Sequence, residues 1–281
     1  MQILLTGSSG QLGAELARQL SQGHNVVGVD VIAGAWTQHL MSITDQDAVD
    51  TLVKNCDAII HIASLHARHL STHSKQAFID TNITGTLTLL NAAVRYRIRR
   101  FVYTSTTSLY GFALVPRDQA VWVTEALAPL PRDIYDITKI TAEELCRHFA
   151  LSMELPTICL RTARFFPESP ELMALYRLYR GVDVRDVAAA HVLAVTNQDM
   201  LFEVFNIAAP SPFRESDMPA LLQNAASVLQ ERVPEAASFF VQRGWKLPTN
   251  IDRVYVIEKA RQQLRYQPVY TFQKYISSLP D

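Results

Sequence analysis

The sequence predicts an α/β protein with a doubly wound parallel sheet and a small C-terminal lobe. The chain begins with a short apolar strand, residues 2–5, which runs directly into a glycine-rich turn. Apolar segments then alternate with amphipathic segments as far as residue 160, and the segment 57–63 is apolar at nearly every position, as buried parallel strands are. Strands that alternate with helices in this way pair in parallel, and the helices cover both faces of the sheet.

The first 30 residues predict a unit of strand, turn, helix and strand that ends on an acid. Gly7, Gly10 and Gly13 form the turn, a helix covers residues 14–20, and the second strand ends on Asp30. Glycine permits a tight turn whose backbone N–H groups, together with the helix N-terminus, favour a pyrophosphate. A carboxylate at the end of the next strand accepts hydrogen bonds from the ribose of NAD. The alternative, that the glycines only form a loop, leaves Asp30 unexplained, so the unit predicts NAD as the cofactor.

The following segments continue the alternation as far as residue 166. The patterning predicts a short strand at 39–41, a helix from Asp45, strands at 57–63, 101–105 and 157–160, and helices at 75–95 and 135–151. Residues 106–133 predict a long irregular loop, and loops of this length in a compact domain are usually functional. We therefore assign residues 1–166 to an NAD-binding domain.

Beyond residue 166 the pattern changes, because Pro167 and Pro170 interrupt it. The patterning predicts helices at 184–196, after Pro212 and at 251–264, and a strand at 203–207. We expect this part, residues 167–281, to complete the sheet and to form a small substrate lobe over the carboxyl ends of the strands. In open α/β sheets, ligands bind at those ends.

Composition and charge argue against several other classes of protein. The chain has 281 residues and a net charge of −1, which gives no indication of a nucleic acid or an anionic membrane as partner. No apolar stretch reaches the roughly 18 residues of a membrane helix. Because the first predicted strand starts at residue 2, we expect no signal peptide. Cys56, Cys146 and Cys159 are expected to be reduced thiols of a cytoplasmic protein.

Tyr135 and Lys139 are four residues apart in a predicted helix, so their side chains share one face. A phenol has an unperturbed pKa of about 10 and is a poor base at neutral pH. A neighbouring ammonium group and a positive nicotinamide ring would stabilise the phenolate and lower the pKa of Tyr135. The pair is then suited to take a proton from an alcohol while a hydride leaves for the cofactor.

Hydroxyl side chains follow the preceding predicted strand, in the run Ser105-Thr106-Thr107-Ser108. This run lies at the carboxyl end of a strand, so one of its hydroxyls can hydrogen-bond the substrate oxygen and hold it near the phenol. Thr107 is a further candidate for substrate contact. The alternative for most of the four is that they cap or satisfy a turn.

Taken together, these segments resemble a known family, the extended short-chain dehydrogenase/reductases of the epimerase/dehydratase type. The resemblance runs from Met1 to about Arg164 and resumes at Gly181. It rests on residues 6–13, Asp30, 57–64, 82–86, 101–111, the pair Tyr135 and Lys139, and 183–188. The resemblance implies a Rossmann fold and an NAD-dependent enzyme. It also implies a homodimer, since such proteins commonly dimerise through the helices that correspond to residues 75–96 and 135–151.

The resemblance also implies roles for individual positions. For the cofactor, it places three glycines at the pyrophosphate, two backbone donors beside them and an acid on the adenine ribose. It also implies one residue that lines the cofactor and one near its nicotinamide side. In that order, these residues are Gly7, Gly10 and Gly13, then Gln11 and Leu12, then Asp30, Ala63 and Asn82. For catalysis, Thr106 matches the catalytic hydroxyl and Tyr135 the acid/base. Lys139 matches the residue that binds the nicotinamide ribose and tunes Tyr135.

The chain departs from the family pattern where a substrate would bind. Only residues 167–179 separate Phe166 from the stretch that starts at Arg180, whereas family members that use nucleotide sugars carry a much longer segment that grips the nucleotide. The shortened segment favours a dehydrogenase of a small polar substrate, such as a free sugar or sugar acid, and resembles that of uronate dehydrogenases. Arg164 would pair either with a carboxylate of that substrate or with a carboxylate of the protein.

Two other functions stay open. One is a nucleotide-sugar epimerase or dehydratase that holds NAD tightly and regenerates it. The other is a regulator that senses NAD without chemistry, which would favour loss of Tyr135 or Lys139.

Several polar residues have a plainer interpretation. His66, His69 and His73 would share a helix face, but no cysteine or clustered carboxylate joins them, so we expect a solvated loop and no metal. His66 follows a strand end closely and is therefore a candidate for substrate contact. Glu143 and Glu144 are expected on a solvated helix face.

Overall fold

A seven-stranded parallel sheet forms the centre of the molecule in the computed structural model, which describes residues 1–280. The strands of the protein are β1 (Gln2–Thr6), β2 (Asn25–Asp30), β3 (His39–Leu40), β4 (Ala58–His61), β5 (Arg100–Thr106), β6 (Val121–Val123), β7 (Thr157–Thr162), β8 (Phe202–Ile207) and β9 (Arg253–Tyr255). Their order in the large sheet is β3-β2-β1-β4-β5-β7-β8. Strand order reverses between β1 and β4, which is the point where doubly wound sheets bind ligands. The predicted fold class is confirmed.

Helices cover both faces of this sheet. They are α1 (Gln11–Leu20), α2 (Gln46–Val53), α3 (Lys75–Phe78), α4 (Gly85–Arg95), α5 (Ile134–Met153), α6 (Pro170–Tyr176), α7 (Val184–Thr196), α8 (Met218–Arg232), α9 (Pro234–Gln242), α10 (Glu258–Gln263) and α11 (Phe272–Ile276). Leu16 of α1 and Val187 of α7 are buried in the core on one face. Val49 of α2, Leu89 of α4 and Ala142 of α5 are buried on the other. A π-helical segment, Ile79–Thr84, joins α3 to α4.

Local signals explain where the helices begin. The Asp45 side chain accepts a hydrogen bond from the Ala48 amide and caps α2, and Asp133 caps α5 through the Asp136 amide. Both are acids at an N-cap, where they satisfy an orphan donor of the first turn. Pro170 begins α6 and is preceded by Ser169 as its cap, so this proline starts a helix rather than only interrupting the chain.

Two predictions about irregular structure and the tail are wrong. The predicted loop at 106–133 contains β6, and the first part of the predicted helix at 251–264 is the strand β9, which precedes the short helix α10. The two strands pair in parallel, with Trp122 opposite Val254. The pairing joins segments about 130 residues apart, and a local hydrophobic pattern carries no information about a partner so far along the chain.

The part of the chain after residue 166 extends the large sheet and builds a separate core. β8 extends the large sheet beside β7. A separate core, which includes Leu175 of α6, Met218 of α8, Phe240 of α9 and Phe272 of α11, builds the C-terminal lobe. No helix among residues 1–280 is both long enough and apolar enough to span a lipid bilayer.

Candidate active site

The glycine turn between β1 and α1 forms one wall of the site. Gly7 adopts a φ of +76°, which only glycine reaches without strain, and its amide donates to the Val29 carbonyl at 2.8 Å. A Cβ atom at Gly13 would lie 2.0 Å from the Gly7 carbonyl oxygen, so α1 packs against the turn more closely than any side chain allows. The two glycines therefore bring the start of α1 to the edge of the sheet.

The N-terminus of α1 is left electropositive. Gly10 is its N-cap, no side chain caps it, and the first turn contains no acid. The first N–H groups of a helix have no intrahelical partner, so Gln11 and Leu12 can present backbone donors there. The Leu12 side chain is buried, and this leaves its backbone as its contribution to the site. These features fit the pyrophosphate of a dinucleotide.

Asp30 ends β2 and faces the same turn. Its carboxylate accepts hydrogen bonds from the Ser9 amide at 3.0 Å and the Ile32 amide at 3.1 Å. These bonds fix the carboxylate beside the turn, at the place where a ribose that follows the pyrophosphate would lie. The glycine turn, the uncapped helix and this acid together fit NAD.

Ala63 and Asn82 lie near the carboxyl end of β4. The Ala63 amide donates to the Thr6 hydroxyl at 3.2 Å, and a Cβ at Gly7 would come within 2.8 Å of the same amide nitrogen. Ala63 is therefore next to the turn. The Asn82 side chain binds the Leu65 backbone, accepting from its N–H at 2.8 Å and donating to its carbonyl at 3.0 Å, and donates to Thr138 of α5 at 3.0 Å. Asn82 thus fixes the loop after β4 against α5, and both of its amide hydrogens are engaged within the protein.

Sequence reasoning missed a buried histidine that joins these elements. Thr86 donates to the Asn82 carbonyl, so it accepts from His61 Nε2 at 2.9 Å, and His61 Nδ1 then accepts from Thr6 at 2.8 Å. Burial, with the charge of Lys139, lowers the pKa of His61 to about 3, which keeps the ring neutral as this pattern requires. The network ties the glycine turn to the segment that holds Asn82. Its only sequence signal was a polar residue within the apolar run 57–63.

The three predicted catalytic residues lie together at the carboxyl ends of the strands. Thr106 ends β5, and its hydroxyl lies beside Tyr135 in the first turn of α5. Lys139 lies one turn further along α5, where its Nζ donates to the Thr104 carbonyl at 2.7 Å and lies 4.3 Å from the centre of the Tyr103 ring. The hydroxyl, the phenol and the ammonium group therefore form one constellation.

The pKa of Tyr135 moves opposite to the expected direction. Burial raises the pKa of the phenol well above its ordinary value, Asp136 and Asp133 raise it further, and the neighbouring Thr106 hydroxyl only partly opposes them. The expected lowering by Lys139 is wrong for the protein's own groups, because that ammonium group is directed at Thr104 and Tyr103. These groups keep Tyr135 protonated at neutral pH.

Thr107 and Ser108 support the strand end. Thr107 is buried and its hydroxyl donates to the Thr162 carbonyl at 3.4 Å, which directs it toward β7. Ser108 donates to the buried Asp136 carboxylate at 2.7 Å, and Arg132 donates to the same carboxylate at 3.1 Å. Sequence reasoning missed this network, which anchors the residues after β5 to the start of α5 beside Tyr135.

His66 lies beside the phenol of Tyr135. The centre of its ring is 6.3 Å from that of Tyr135 and 6.3 Å from that of Phe166. Burial and the nearby charge of Lys139 lower the pKa of His66 to about 3, so the ring is neutral. Ala67–His69 form a short 3-10 helix that begins after His66, instead of the regular helix considered from the sequence. Among residues 1–280, no group of three histidine, cysteine, aspartate or glutamate side chains could hold a metal ion.

Arg164 lies just past the end of β7 and lines a small cavity of about 70 Å³ together with Gln11, Phe166 and Glu168. Its guanidinium forms an ion pair with Glu168, with Nε 2.6 Å from Oε1. Of the two pairings considered for Arg164, the structure contains the one with a protein carboxylate. The guanidinium is partly exposed at the cavity, at the same edge of the sheet as Tyr135.

The expectation that Glu143 lies on a solvated helix face is wrong. Glu143 is buried beneath α5 and forms an ion pair with Arg161 of β7, at 2.7 Å between Nη2 and Oε2. Glu144 does face solvent and pairs with Arg147. Two adjacent glutamates give no local signal as to which one turns toward the sheet, and only the packing of α5 on β7 decides it.

Comparisons with known proteins agree with this geometry. The model of the NAD dependent epimerase/dehydratase family matches residues 3–174. The low-salt glycan biosynthesis protein Agl12 of Haloferax volcanii is 31% identical over 182 residues, which cover 59% of this chain and 57% of that protein. A uronate dehydrogenase of Pseudomonas putida is 28% identical over 181 residues, which cover 62% of this chain and 64% of that protein. The chain thus matches less than two thirds of the length of these relatives.

The likeness extends to solved structures. A short-chain dehydrogenase/reductase superfamily protein of Agrobacterium tumefaciens, crystallised with bound NAD, superposes with a TM-score of 0.73 at 21% identity, covering 99% of this chain and 95% of that chain. The predicted resemblance to the epimerase/dehydratase family is confirmed: this chain belongs to the NAD dependent epimerase/dehydratase family.

Proposed function

We propose that this enzyme transfers a hydride between NAD and a secondary alcohol or hemiacetal, or the matching carbonyl, of a small polar substrate. The observation that carries the proposal is the constellation of Thr106, Tyr135 and Lys139, which lies at the same edge of the sheet as the glycine turn. The regulator without chemistry is disfavoured, because both the phenol of Tyr135 and Lys139 are present.

Each of the three residues has a separate task. Thr106 orients the substrate oxygen, because its hydroxyl lies beside the phenol. Tyr135 moves the proton, and Lys139 binds the nicotinamide ribose. The turn of Gly7, Gly10, Gln11, Leu12 and Gly13 would hold the pyrophosphate, with Asp30, Ala63 and Asn82 along the remainder of the dinucleotide. When bound, NAD supplies the hydride acceptor and the positive ring charge that the protein's own groups do not place beside Tyr135.

We predict NAD rather than NADP as the preferred cofactor. The Asp30 carboxylate would repel a 2′-phosphate on the adenine ribose, so Asp30→Ala should weaken NAD binding and reduce the preference for it. Calorimetric titration of the wild type and the variant with both dinucleotides measures this. Asp47→Ala, an exposed acid in α2, serves as the control and should leave both affinities unchanged. Tighter binding of NADP than NAD by the wild type would contradict the role given to Asp30.

The proposed substrate is a free sugar, a sugar acid or a comparable small alcohol. A nucleoside diphosphate requires several donors and at least one cation for its phosphates. The segment 167–179 is short and contributes Glu168 and Glu171, which would repel phosphates. Arg164 at the cavity would bind a substrate carboxylate, and its ion pair with Glu168 would have to break first. His66 and Phe166 would line the approach to Tyr135, with Thr107 supporting the strand end.

We expect uridine diphosphate not to bind the NAD-loaded enzyme. We also expect Arg164→Ala to raise KM for an acidic sugar by about tenfold or more and to change KM for a neutral analogue little. Calorimetry and NADH absorbance across aldoses and uronates measure the two effects. Arg147→Ala removes an arginine from a similar exposed ion pair on α5 and should change neither KM. Micromolar binding of uridine diphosphate, or equal KM changes for both sugars, would refute the assignment of substrate.

A nucleotide-sugar epimerase or dehydratase is the second candidate. It is supported by relatives with such names, among them a UDP-glucose 4-epimerase of Erwinia amylovora that is 29% identical over 181 residues. This alternative expects NAD to copurify with the protein and no net NADH to form during turnover. Net NADH formation with a free sugar would favour the dehydrogenase.

We also propose a homodimer formed through the helices near 75–96 and 135–151, and a cytoplasmic location. The exposed apolar side chains Ile137 and Leu151 of α5 support the interface, and the three unpaired cysteines support the location. Light scattering would test the dimer, which requires twice the mass of the 31.5 kDa chain.

A further inference from the structure

Glu143 lies one helical turn beyond Lys139 on α5, and both side chains are buried. At this spacing a glutamate is placed to form an ion pair with the lysine ammonium group. The carboxylate is instead held by Arg161, with Nε 3.0 Å from Oε1 and Nη2 2.7 Å from Oε2. Lys139 forms no ion pair with any carboxylate of the described chain, and its Nζ donates to the Thr104 carbonyl.

Arg161 is itself fixed in place. Its Nη1 donates to the Tyr110 hydroxyl at 3.0 Å, and that hydroxyl donates to Asn206 at 2.8 Å. The guanidinium carbon lies 5.0 Å from the centre of the Tyr110 ring. A planar guanidinium held on several sides cannot follow the carboxylate if Glu143 turns toward Lys139. The geometry therefore keeps Glu143 and Lys139 apart.

We propose that Arg161 and Glu143 are positioning residues for Lys139: Arg161 withholds the Glu143 carboxylate from the ammonium group, which stays available to the active site. The inference rests on the role of Lys139 in the proposed function. It concerns a residue pair that touches neither the substrate nor the reacting atoms. The carboxylate still acts on Lys139 through space, since its negative charge favours the charged form of the amine.

The pKa of Lys139 reports where the Glu143 carboxylate lies, because two opposing effects set that pKa. Burial lowers the pKa of Lys139 to about 8, and the charge of Glu143 opposes that lowering. The other titratable or charged groups that face Lys139 from the elements around it are Tyr135 and Cys146 on α5, Tyr103 on β5, Cys159 and Arg161 on β7, His61 on β4, and His66 in the loop after β4. His61 and His66 are neutral, which leaves Glu143 and its partner Arg161 as the charged neighbours of Lys139.

The test follows the titration of Lys139 itself, by carbon NMR of lysine labelled at Cε, without NAD or substrate. The chain has six lysines, Lys54, Lys75, Lys139, Lys246, Lys259 and Lys274, and the signal lost in Lys139→Met identifies the residue. Glu143→Gln removes the favourable charge, so the Lys139 midpoint should fall by about half a pH unit or more. Arg161→Met frees the carboxylate to pair with Lys139, so the midpoint should rise by a similar amount.

A double variant and a matched control separate positioning from simple stability. In Glu143→Leu/Arg161→Met both charges are absent, so the Lys139 midpoint should fall below that of Arg161→Met. Pairing with Glu143 should weaken NAD binding by Lys139 in Arg161→Met, and the double variant should therefore bind NAD more tightly than that single variant. Glu144→Gln, at the exposed neighbouring position, should leave the midpoint unchanged. A purely structural ion pair would lower Tm in the single variants without opposite shifts of the Lys139 midpoint. An unchanged midpoint in Glu143→Gln alone overturns the proposal, even if Arg161→Met does not fold. Because the readout needs no turnover, it stands apart from a failure of the proposed activity.

Discussion

Replacing Tyr135 by phenylalanine should leave the fold and NAD binding intact and reduce turnover by about a hundredfold or more, the usual effect of losing a positioned acid/base. Only the phenolic hydroxyl is removed, and it is the group that lies beside the Thr106 hydroxyl. Its ring packs as before, because phenylalanine has the same shape. The measurement is kcat on the identified substrate, with NAD affinity by calorimetry and Tm recorded beside it.

Tyr266→Phe is the matched control for this experiment. Tyr266 is also a buried tyrosine, and its hydroxyl donates to the Ala208 carbonyl at 3.2 Å, away from Tyr135 and Lys139. Losing that bond should cost about 1 kcal/mol of stability and leave kcat unchanged. Turnover by Tyr135→Phe equal to that of the wild type would remove Tyr135 from the mechanism.

The second large effect is expected from adding one methyl group to the turn, in Gly13→Ala. The new Cβ would lie 2.0 Å from the Gly7 carbonyl oxygen and 2.8 Å from the Ser8 Cα, and both are backbone atoms that cannot turn aside. The start of α1 must move away from β1, which displaces the donors proposed for the pyrophosphate. We expect NAD affinity to fall by at least about tenfold and stability to fall by about 1–3 kcal/mol.

Gly23→Ala supplies the comparison, because a Cβ atom at Gly23 meets nothing within 4 Å. The same chemical change is then made in the loop after α1, without the collision. NAD affinity and Tm of this variant should match those of the wild type. If Gly13→Ala binds NAD as tightly as Gly23→Ala does, the turn is not the pyrophosphate site.

The sequence by itself determined the architecture of the NAD-binding part. The strand–turn–helix–strand unit that ends on Asp30 can be predicted from the sequence, because glycine spacing, a short amphipathic helix and an acid at a strand end are all local features. The pair Tyr135 and Lys139 was readable for a similar reason, since a spacing of four within a helix fixes a shared face. Their proximity to Thr106 followed from the parallel sheet, which collects carboxyl strand ends at one edge.

Only the tertiary structure decided which polar groups are buried and what they face. Glu143 and Glu144 are adjacent in sequence, yet the packing of α5 on β7 buries the first against Arg161 and leaves the second in solvent. Likewise, the upward shift in the pKa of Tyr135 comes from burial, which no spacing reveals. Desolvation and ion pairing depend on surroundings assembled from distant parts of the chain, whereas periodicity and spacing record only the immediate neighbours of a residue.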